Sequence, residues 1–503
     1  MPPGTHRPRD VLFINPNRVQ PPVAPLALDS IGEALHTRGI RARVKDLCRG
    51  GPSESQVPES YLRDLDVGNV DAILLTVRNI DDAYYFSQAP FLPQFRDLVQ
   101  ALRETFRRPV ILGGCGFSIA PEAVLGFLGA DLGVAGAQER DLLLLLASLD
   151  DKDAYPEVPG LVWRDGDRIR SNLPSPPAMD EDFFSPRRTV NNSDYFQAGG
   201  MVGLETKRGC EGLCRYCVDP VAKGNRVFTK PLPYLIKEVE SLVDQGVTVF
   251  HLCDSEFNMP RDHALDVCEA LEQDGLSKRI RWFTYASPLG FDETLAFRMA
   301  EAGCAGINFG ADHSHPGILS ALGRQHGTED LARTVEATRK AGLPVLFDLL
   351  LGGPGETRET LREAIDFCRE IEVPRVGANC GIRIYPGTAL SREVLKQGPL
   401  HENPNLEGTL EGNEELLYPV FFVSHEMGRG WQDYLTGLVR DDARFLLPLK
   451  ESKQANYNYN ENEVLVKALR EGHRGAFWDI LRRVQEGLPP IDVPGPRHRG
   501  VES

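Results

Sequence analysis

Short apolar runs alternate with helix-period patterns along residues 1–150 of the chain. The apolar runs predict strands at Val11–Asn15, Ala42–Leu47, Ala72–Val77, Val110–Leu112 and Leu132–Val134. The intervening patterns predict helices at Leu26–Thr37, Pro93–Phe106 and Arg140–Leu149. Short apolar strands separated by helices are typical of a doubly wound parallel sheet, which binds ligands outside the carboxyl ends of its strands. We therefore predict an N-terminal α/β domain with a Rossmann-like sheet.

Two changes of pattern divide the rest of the chain. Residues 151–200 are rich in Pro, Asp and Ser and show little periodicity, which predicts a linker. Over residues 201–395 strand and helix patterns alternate again, which predicts a partial (β/α)6 barrel with its chemistry on the C-terminal face. The predicted strands there are Val247–Leu252, Ile280–Thr284, Gly306–Gly310, Val345–Leu351 and Ala378–Ile384. The predicted helices include Leu232–Gln245, Asp292–Ala302 and Thr328–Ala341.

The last part of the chain, residues 396–503, is helical and irregular in pattern. It carries no motif, but it contains the aromatic residues Tyr457, Tyr459 and Trp478. We predict a region that caps the substrate.

Composition narrows the class of protein. The chain has 503 residues, of which 41% are hydrophobic and 25% charged, so it can bury several cores. A net charge of −16 argues against a broad nucleic-acid surface. The longest apolar runs are too short to cross a bilayer, and the segment Met1–Asp10 is polar and Pro-rich, so we expect a cytoplasmic protein without membrane contact.

Three of the ten cysteines lie together, in the sequence Cys210-Glu-Gly-Leu-Cys214-Arg-Tyr-Cys217. In a large chain without a secretory signal, such a group indicates a metal or catalytic site rather than a disulfide framework. Three thiolates on one short loop suit three irons of a cubane and leave the fourth iron open to another ligand. A zinc site and three unrelated cysteines are the alternatives, but a structural zinc site needs a fourth protein ligand and no second cysteine pair is visible.

The spacing C-x3-C-x2-C after the first strand of a βα barrel resembles the radical S-adenosylmethionine (SAM) superfamily. This resemblance implies a [4Fe–4S] cluster on Cys210, Cys214 and Cys217, with SAM on the open iron. It also implies SAM contacts at the ends of later barrel strands. These predicted contacts are Asp254, Ser255, Glu256, Asp312, Gly353 and Arg383.

A Rossmann-like domain ahead of such a barrel resembles the cobalamin-dependent branch of that superfamily. No G-x-G-x-x-G follows the first strand, which argues against a bare dinucleotide-binding domain. The branch implies a corrinoid at the carboxyl edge of the first sheet. The residues implied to contact it are Asn15, Pro22, Arg78, Gly113, Gly114, Ser118 and Glu139.

The lower face of the corrin is expected to lack a histidine. Residues 1–150 contain only His6 and His36, and neither stands in the Asp-x-His-x-x-Gly loop of methionine-synthase-like domains. The stretch Thr76–Asp82 places Arg78 at the end of the third strand. It resembles a branch that methylates without a free radical, in which an arginine keeps the lower face of cobalt unligated. The alternative is that Arg78 pairs with Asp81, Asp82 or a group of the cofactor.

The resemblance implies a C-methyltransferase that moves a methyl group from SAM through cobalamin to a carbon of a small-molecule substrate, in natural-product biosynthesis. Arg78 and Tyr285 are the predicted catalytic residues, while Asp312 and Glu356 are further candidates for a base near strand ends. An electron donor such as flavodoxin or ferredoxin is the implied protein partner. A rearrangement or cyclisation enzyme of the same layout is one alternative, and a non-catalytic corrinoid carrier or sensor is another.

Overall fold

The computed structural model describes residues 10–19, 21–48, 70–137, 139–176, 186–440, 442–447 and 462–492. Tyr457, Tyr459 and His6 lie outside these residues. Within them no helix is long and apolar enough to span a membrane.

A seven-stranded sheet in the order β2-β1-β3-β4-β5-β6-β7 forms the N-terminal domain. Its strands are β1 (Asp10–Asn15), β2 (Arg41–Asp46), β3 (Ala72–Thr76), β4 (Val110–Gly113), β5 (Leu132–Val134), β6 (Leu161–Asp165) and β7 (Arg168–Ser171). Its helices are α1 (Leu26–His36), α2 (Leu92–Phe106), α3 (Cys115–Ser118), α4 (Pro121–Leu128) and α5 (Glu139–Ala147). Strands β1 to β5 are parallel, as predicted, and every residue of β1 is buried, as expected for a strand covered on both faces.

The predicted linker, for which we expect local structure, contributes two strands to the first sheet. Strands β6 and β7 add to β5 in antiparallel pairing, so residues 161–171 belong to the first sheet. Their alternation is short and their outer residues are charged, which is why the pattern resembled a loop. The rest of this segment includes helix α6 (Asn192–Gln197).

A second seven-stranded sheet, all parallel, forms the partial barrel in the order β19-β15-β14-β13-β12-β11-β8. Its strands are β8 (Gly203–Leu204), β11 (Val249–Leu252), β12 (Arg281–Ala286), β13 (Cys304–Asp312), β14 (Val345–Leu351), β15 (Val376–Cys380) and β19 (Phe445–Leu446). Its helices are α7 (Asp219–Lys223), α8 (Leu232–Asp244), α9 (Arg261–Gln273), α10 (Glu293–Glu301), α11 (Pro316–Leu322), α12 (Thr328–Lys340) and α13 (Arg358–Glu370). Strands β9 (Lys207–Arg208) and β10 (Phe228–Thr229) flank the cysteine loop as a small antiparallel pair.

The predicted strand Ala378–Ile384 is two strands. β15 ends at Cys380, and β16 (Ile382–Arg383) leaves the barrel to pair with β18 (Val420–Phe422), which also pairs with β17 (Leu406–Gly408). Apolar residues on both sides of the break hide it from a periodicity argument. The remaining helices are α14 (Ala389–Lys396), α15 (Trp431–Val439), α16 (Glu463–Arg470) and α17 (Phe477–Gln485).

Helices α16 and α17 close the amino end of the barrel. Trp478 is buried with Phe283, and a Cβ on Gly306 would lie 3.1 Å from the Trp478 ring. Because Phe283 lies in the first half of β12, Trp478 forms a floor beneath the barrel interior. The prediction that Trp478 caps the substrate is therefore wrong: the cysteine loop lies at the opposite, carboxyl end.

Candidate functional site

The carboxyl edges of the two sheets line one cleft. Arg78 and Cys115 follow β3 and β4 of the first sheet, whereas Cys253 follows β11 of the barrel. All three residues are exposed. Desolvation by the walls of the cleft raises the pKa of Cys253, and the positive charges of Lys223 and Arg78 partly oppose that rise. Arg78 therefore lies close enough to the barrel edge for its charge to act there.

A close approach between two turns fixes the backbone of Arg78. The amide of Gly116 donates to the carbonyl of Arg78 at 2.9 Å, and Phe117 N donates to the carbonyl of Val77 at 3.2 Å. A Cβ on Gly116 would lie 3.0 Å from backbone atoms of Asn79, so only glycine fits there. The turn after β4 thus positions the residue after β3.

Arg78 does not make the predicted alternative ion pairs. Asp81 pairs with Arg383 at 2.7 Å, and Asp82 accepts from the amides of Tyr84 and Ala89. Among the described residues we find no ion pair of Arg78. The guanidinium of Arg78 is therefore available to a molecule bound in the cleft.

His36 is exposed in the last turn of α1, as predicted for a surface residue.

Close backbone contacts hold the shape of the cysteine loop. Gly209 has φ 90°, and a Cβ there would lie 1.9 Å from the carbonyl oxygen of Arg226, so only glycine is tolerated. Next to it, Cys210 N donates to Gly224 O at 3.1 Å, and Cys217 N donates to Cys214 O at 3.2 Å. This loop turns its sulfurs toward one another.

The three thiols share one environment. Burial, then Asp219, and then the neighbouring Cys214 and Cys210 raise the pKa of Cys217. A Cβ on Gly212 would lie 3.3 Å from the Sγ of Cys210 and 3.8 Å from that of Cys214. No three His, Cys, Asp or Glu side chains of the described chain surround a single-ion position. In a [4Fe–4S] cubane each thiolate holds a different iron, so this donor set of three neighbouring soft ligands fits a cluster.

A charged network borders the thiols. Arg324 Nη1 lies 3.1 Å from the Sγ of Cys214, and its guanidinium is 3.5 Å from Glu256 and 3.4 Å from Asp312. Tyr216 donates to Asp312 at 2.5 Å. Burial raises the pKa of Glu256 to about 7, although Arg324 opposes it. Glu256 and Asp312, two of the predicted SAM contacts, therefore lie beside the cysteine loop.

The glycine turn after β14 is held by Glu356. Its Oε2 accepts from the amides of Gly352 at 2.7 Å and Gly353 at 2.9 Å, which makes Glu356 a structural acceptor here. A Cβ on Gly353 would only touch Ile318 and other apolar side chains at 3.5 Å or more. The α-carbon of Gly353 therefore packs against buried apolar side chains of the core.

Two residues predicted to contact cofactors form ties between the domains. Glu139 accepts from both terminal nitrogens of Arg208, at 3.1 and 3.2 Å. Arg383 donates to Asp81 at 2.8 Å and to the carbonyl of Leu416 at 3.1 Å. Both side chains are buried and have protein partners, and a corrinoid contact at Glu139 and a SAM contact at Arg383 stay predictions.

Two more predicted contacts are occupied in the same way. Asp254 is buried and accepts from Thr206 N at 2.9 Å and Lys207 N at 3.2 Å, so it shapes the strand before the cysteine loop. Asn15 is buried and donates to Asp46 at 3.0 Å, which ties β1 to β2. The sequence places both at strand ends, but it does not show which way the side chains turn.

The other predicted cofactor contacts lie in three different places. Ser255 donates to Asp219 at 2.6 Å beside the cysteine loop. Pro22 is buried, and its carbonyl accepts from Met201 N at 3.1 Å, at the entry to the barrel. Gly113 and Gly114 end β4 at the cleft, where Ser118 accepts from Gly136 N at 3.0 Å and so joins the turns after β4 and β5.

Sequence reasoning missed a histidine inside the barrel. His251 lies on β11 with its ring centroid 5.1 Å from that of the predicted catalytic residue Tyr285, which is 41% exposed. Burial lowers the pKa of His251 to about 4, so the ring is neutral at pH 7. The sequence offered one signal for His251. It lies two residues before Cys253, and residues two apart share one face of a strand.

Known proteins share this arrangement. The Radical SAM superfamily model matches residues 204–368. Tryptophan 2-C-methyltransferase from Streptomyces laurentii is 29% identical over 93% of this chain and 95% of the relative. The structure of the radical SAM methyltransferase TsrM from Kitasatospora setae, with cobalamin and a [4Fe–4S] cluster bound, superposes with a TM-score of 0.84 at 28% identity, covering 95% of this chain and 99% of that one. A second structure of TsrM, with tryptophan and a SAM analogue bound, gives 0.83 at 29% identity with the same coverage.

Proposed function

Since the chain belongs to the cobalamin-dependent radical SAM methyltransferases, we propose that it methylates a ring carbon of tryptophan or a closely related indole. The general activity, moving a methyl group from SAM to a carbon of a small molecule, follows from that membership. The identity of the acceptor and the roles of individual residues are the proposal.

The proposal rests mainly on one observation. Arg78 lies at the carboxyl edge of the first sheet, the cysteine loop lies at the carboxyl edge of the barrel, and both edges line one cleft. Arg78 acts electrostatically on Cys253 at the barrel edge, and the loop Cys210–Cys217 starts from that same edge. A corrinoid between the edges would have Arg78 on its first-sheet side and the barrel interior on the other. This is the order that a methyl relay from SAM to an acceptor in the barrel requires.

The bound groups would supply the chemistry. Cobalamin would carry the methyl group, and a [4Fe–4S] cluster on Cys210, Cys214 and Cys217 would hold SAM. Glu256 and Asp312 border the place of SAM, with Arg324 between them to balance their charge. The glycine turn after β14 would receive its adenine ring, because Gly353 lets the backbone approach the ring closely.

Arg78 is proposed to occupy the lower face of the corrin. A guanidinium blocks that face by its volume and offers no lone pair to cobalt. An unligated lower face favours release of the methyl group as a cation, so the acceptor needs to be nucleophilic rather than a radical. The C2–C3 bond of an indole is such an acceptor, in keeping with the tryptophan acted on by the Streptomyces relative.

Tyr285 is proposed to line the acceptor site from β12. Its exposure inside the barrel shows open space in front of its ring, which suits an aromatic acceptor. An electron donor such as flavodoxin or ferredoxin remains part of the proposal, as the means of returning oxidised cobalt to its nucleophilic state.

Labelled methyl transfer tests this function. Protein reconstituted with cluster and cobalamin is incubated with methyl-labelled SAM, L-tryptophan and a chemical reductant, and products are located by mass spectrometry and NMR. We expect the label on an indole ring carbon. A rearranged or cyclised product without label would support the alternative enzyme class, and SAM that stays intact would support a carrier or sensor.

A further inference from the structure

A cavity of about 430 Å³ lies on the protein surface beside the cysteine loop. Arg215, between Cys214 and Cys217, forms one side of this cavity, and helix α14 forms the other. The residues of the helix and its C-terminal end that line it are Ala389, Arg392, Glu393, Lys396 and Gln397. Residues three or four apart share one face of a helix, so the charged residues among them lie side by side. We call the surface formed by Leu213, Arg215, Arg392, Glu393 and Lys396 the α14 surface.

Backbone hydrogen bonds join α14 to the cysteine loop. Leu390 N donates to Arg215 O at 2.8 Å, and Arg215 N donates to Leu322 O, at the end of α11, at 2.9 Å. Arg215 directly follows Cys214, so the Cα atoms of these two residues are about 3.8 Å apart. A protein bound at the α14 surface therefore lies next to the thiols that are proposed to hold the cluster.

The α14 surface is positively charged. Its one acidic side chain, Glu393, pairs with Arg215. Arg392 and Lys396 are exposed, and in the part of the chain that the structure describes neither of them forms an ion pair. The whole chain has a net charge of −16. Most of its surface therefore repels an acidic protein, whereas the α14 surface attracts one.

Leu213 adds an apolar contact to this surface. It lies on the cysteine loop and is 66% exposed. A Cβ on Gly323 would lie 2.4 Å from the carbonyl oxygen of Leu213 and 3.0 Å from Cγ of Arg215, so Leu213 and Arg215 lie against the same turn. An apolar side chain beside arginines has the composition of a protein–protein interface, in which a charged rim surrounds apolar contacts.

We propose that the α14 surface is the docking site of an acidic electron-donor protein of the flavodoxin type. The inference rests on the proposed function, which needs a donor to return oxidised cobalt to its nucleophilic state. Arg392 and Lys396 pair with carboxylates of the donor, and Leu213 contacts the apolar rim of its flavin. Electron-transfer complexes bury less than about 1,200 Å² of surface, so a loop and one helix face are sufficient.

The step at this surface is the transfer of one electron. The anionic hydroquinone of flavodoxin loses the electron and becomes the neutral semiquinone, and the cluster gains it. No bond of this chain forms or breaks, and no proton is transferred. Arg392 and Lys396 thus govern the binding of the donor and the rate of electron transfer, and they take no part in methyl transfer.

Flavodoxin binding measures the docking directly. Oxidised flavodoxin is titrated into protein loaded with cluster and cobalamin, and the dissociation constant is measured by isothermal titration calorimetry. We expect saturable binding that weakens at least about tenfold when NaCl is raised from about 0.05 M to about 0.3 M, because salt screens exposed charges.

Charge reversal assigns the binding to α14. Arg392→Glu with Lys396→Glu is expected to weaken flavodoxin binding at least about tenfold, and to slow the formation of semiquinone when reduced flavodoxin is mixed with the protein. Arg107→Glu with Arg108→Glu is the matched control, since it reverses two exposed charges before the amino end of β4, away from the cleft. This control is expected to bind like the wild type, within about twofold. Iron and cobalamin content shows that both double variants are folded.

The inference fails if flavodoxin does not bind the wild-type protein, or if the α14 variant binds flavodoxin as well as the control variant does. Equal rates of semiquinone formation in the wild type and the α14 variant would also overturn it. Methyl transfer driven by a chemical reductant is measured in parallel and needs no donor protein. If the wild type shows this transfer, such results count against the α14 surface alone, whereas absence of the transfer counts against the proposed function.

Discussion

Arg187 Nε donates to Asp29 Oδ2 at 2.8 Å, and neither side chain is exposed to solvent. Asp29 belongs to α1 of the N-terminal domain, and Glu238 on α8 of the barrel binds the same guanidinium at 3.0 Å. One buried arginine thus joins a helix of each domain. Because the cleft lies between these domains, its width depends on this contact.

Replacing Arg187 is expected to destabilise the protein strongly. Arg187→Met leaves the buried Asp29 without its cation and leaves Glu238 with Lys230 alone, and breaking a buried pair in this way costs about 3–5 kcal/mol. The free energy of unfolding is measured by urea denaturation. The exposed neighbour Arg188→Met is the control and is expected to change it by less than about 0.5 kcal/mol. Equal stabilities of the two variants would contradict a clamp at Arg187.

The three loop cysteines are expected to hold the iron. Replacing Cys210, Cys214 and Cys217 together with Ala removes the soft ligands, so reconstituted iron falls from about four per chain to near zero. Iron and sulfide analysis measures the loss. Cys48→Ala, at a cysteine far from the loop in sequence, is the control and is expected to keep its iron. Iron retained in the triple variant, or zinc bound in its place, would refute the assignment.

Arg78→Lys is expected to slow methyl transfer while the cluster and SAM binding survive. Lysine keeps the charge but lacks the broad plane that blocks the lower face. A rise in the barrier of about 1.4 kcal/mol or more corresponds to at least about a tenfold slower rate. Transfer from preformed methylcobalamin to tryptophan is followed in a single turnover. Exposed Arg140→Lys is the control, and a rate in Arg78→Lys equal to that control would remove Arg78 from the mechanism.

His251 is expected to make stability depend on pH below neutrality. Its pKa is about 4 in the folded chain, against about 6.5 when unfolded, so between these values the unfolded chain binds a proton that the folded chain does not. Stability from burying the neutral ring is thus complete above about pH 6.5 and is lost as the pH falls toward about 4.

The variant His251→Gln lacks this proton. From about pH 6 to about pH 5 its free energy of unfolding is expected to fall less steeply than that of the wild type, by up to ~1.4 kcal/mol per pH unit. Urea denaturation at several pH values measures the slopes. Exposed His401→Gln should keep the wild-type slope, and parallel slopes for all three proteins would show that His251 titrates normally.

Periodicity was sufficient for most of the fold. β5 and β14 have the predicted bounds, and most other predicted strands and helices differ by one or two residues, because buried parallel strands and amphipathic helices leave clear patterns. Periodicity does not show which strands pair with strands far away in the sequence. Strands β6 and β7 are recognised only through their pairing with β5, and β16 only through its pairing with β18.

The roles of individual site residues were harder to predict than the position of the site. The cysteine spacing predicted the cluster loop, but Glu139 and Asp254 show that a polar residue near a strand end can bind a structural partner within the protein. Which partner it takes depends on residues such as Arg208, about seventy positions away from Glu139. Such pairs become visible only when the chain is folded.

Polar methyl transfer, with Arg78 below the corrin and no substrate radical, is tested most directly by counting products in a single turnover. Cobalamin-loaded protein is mixed with methyl-labelled SAM and L-tryptophan, and both labelled methyltryptophan and 5′-deoxyadenosine are quantified. We expect labelled product with almost no 5′-deoxyadenosine. One 5′-deoxyadenosine formed for each methyl group transferred would contradict the polar route and establish a radical one.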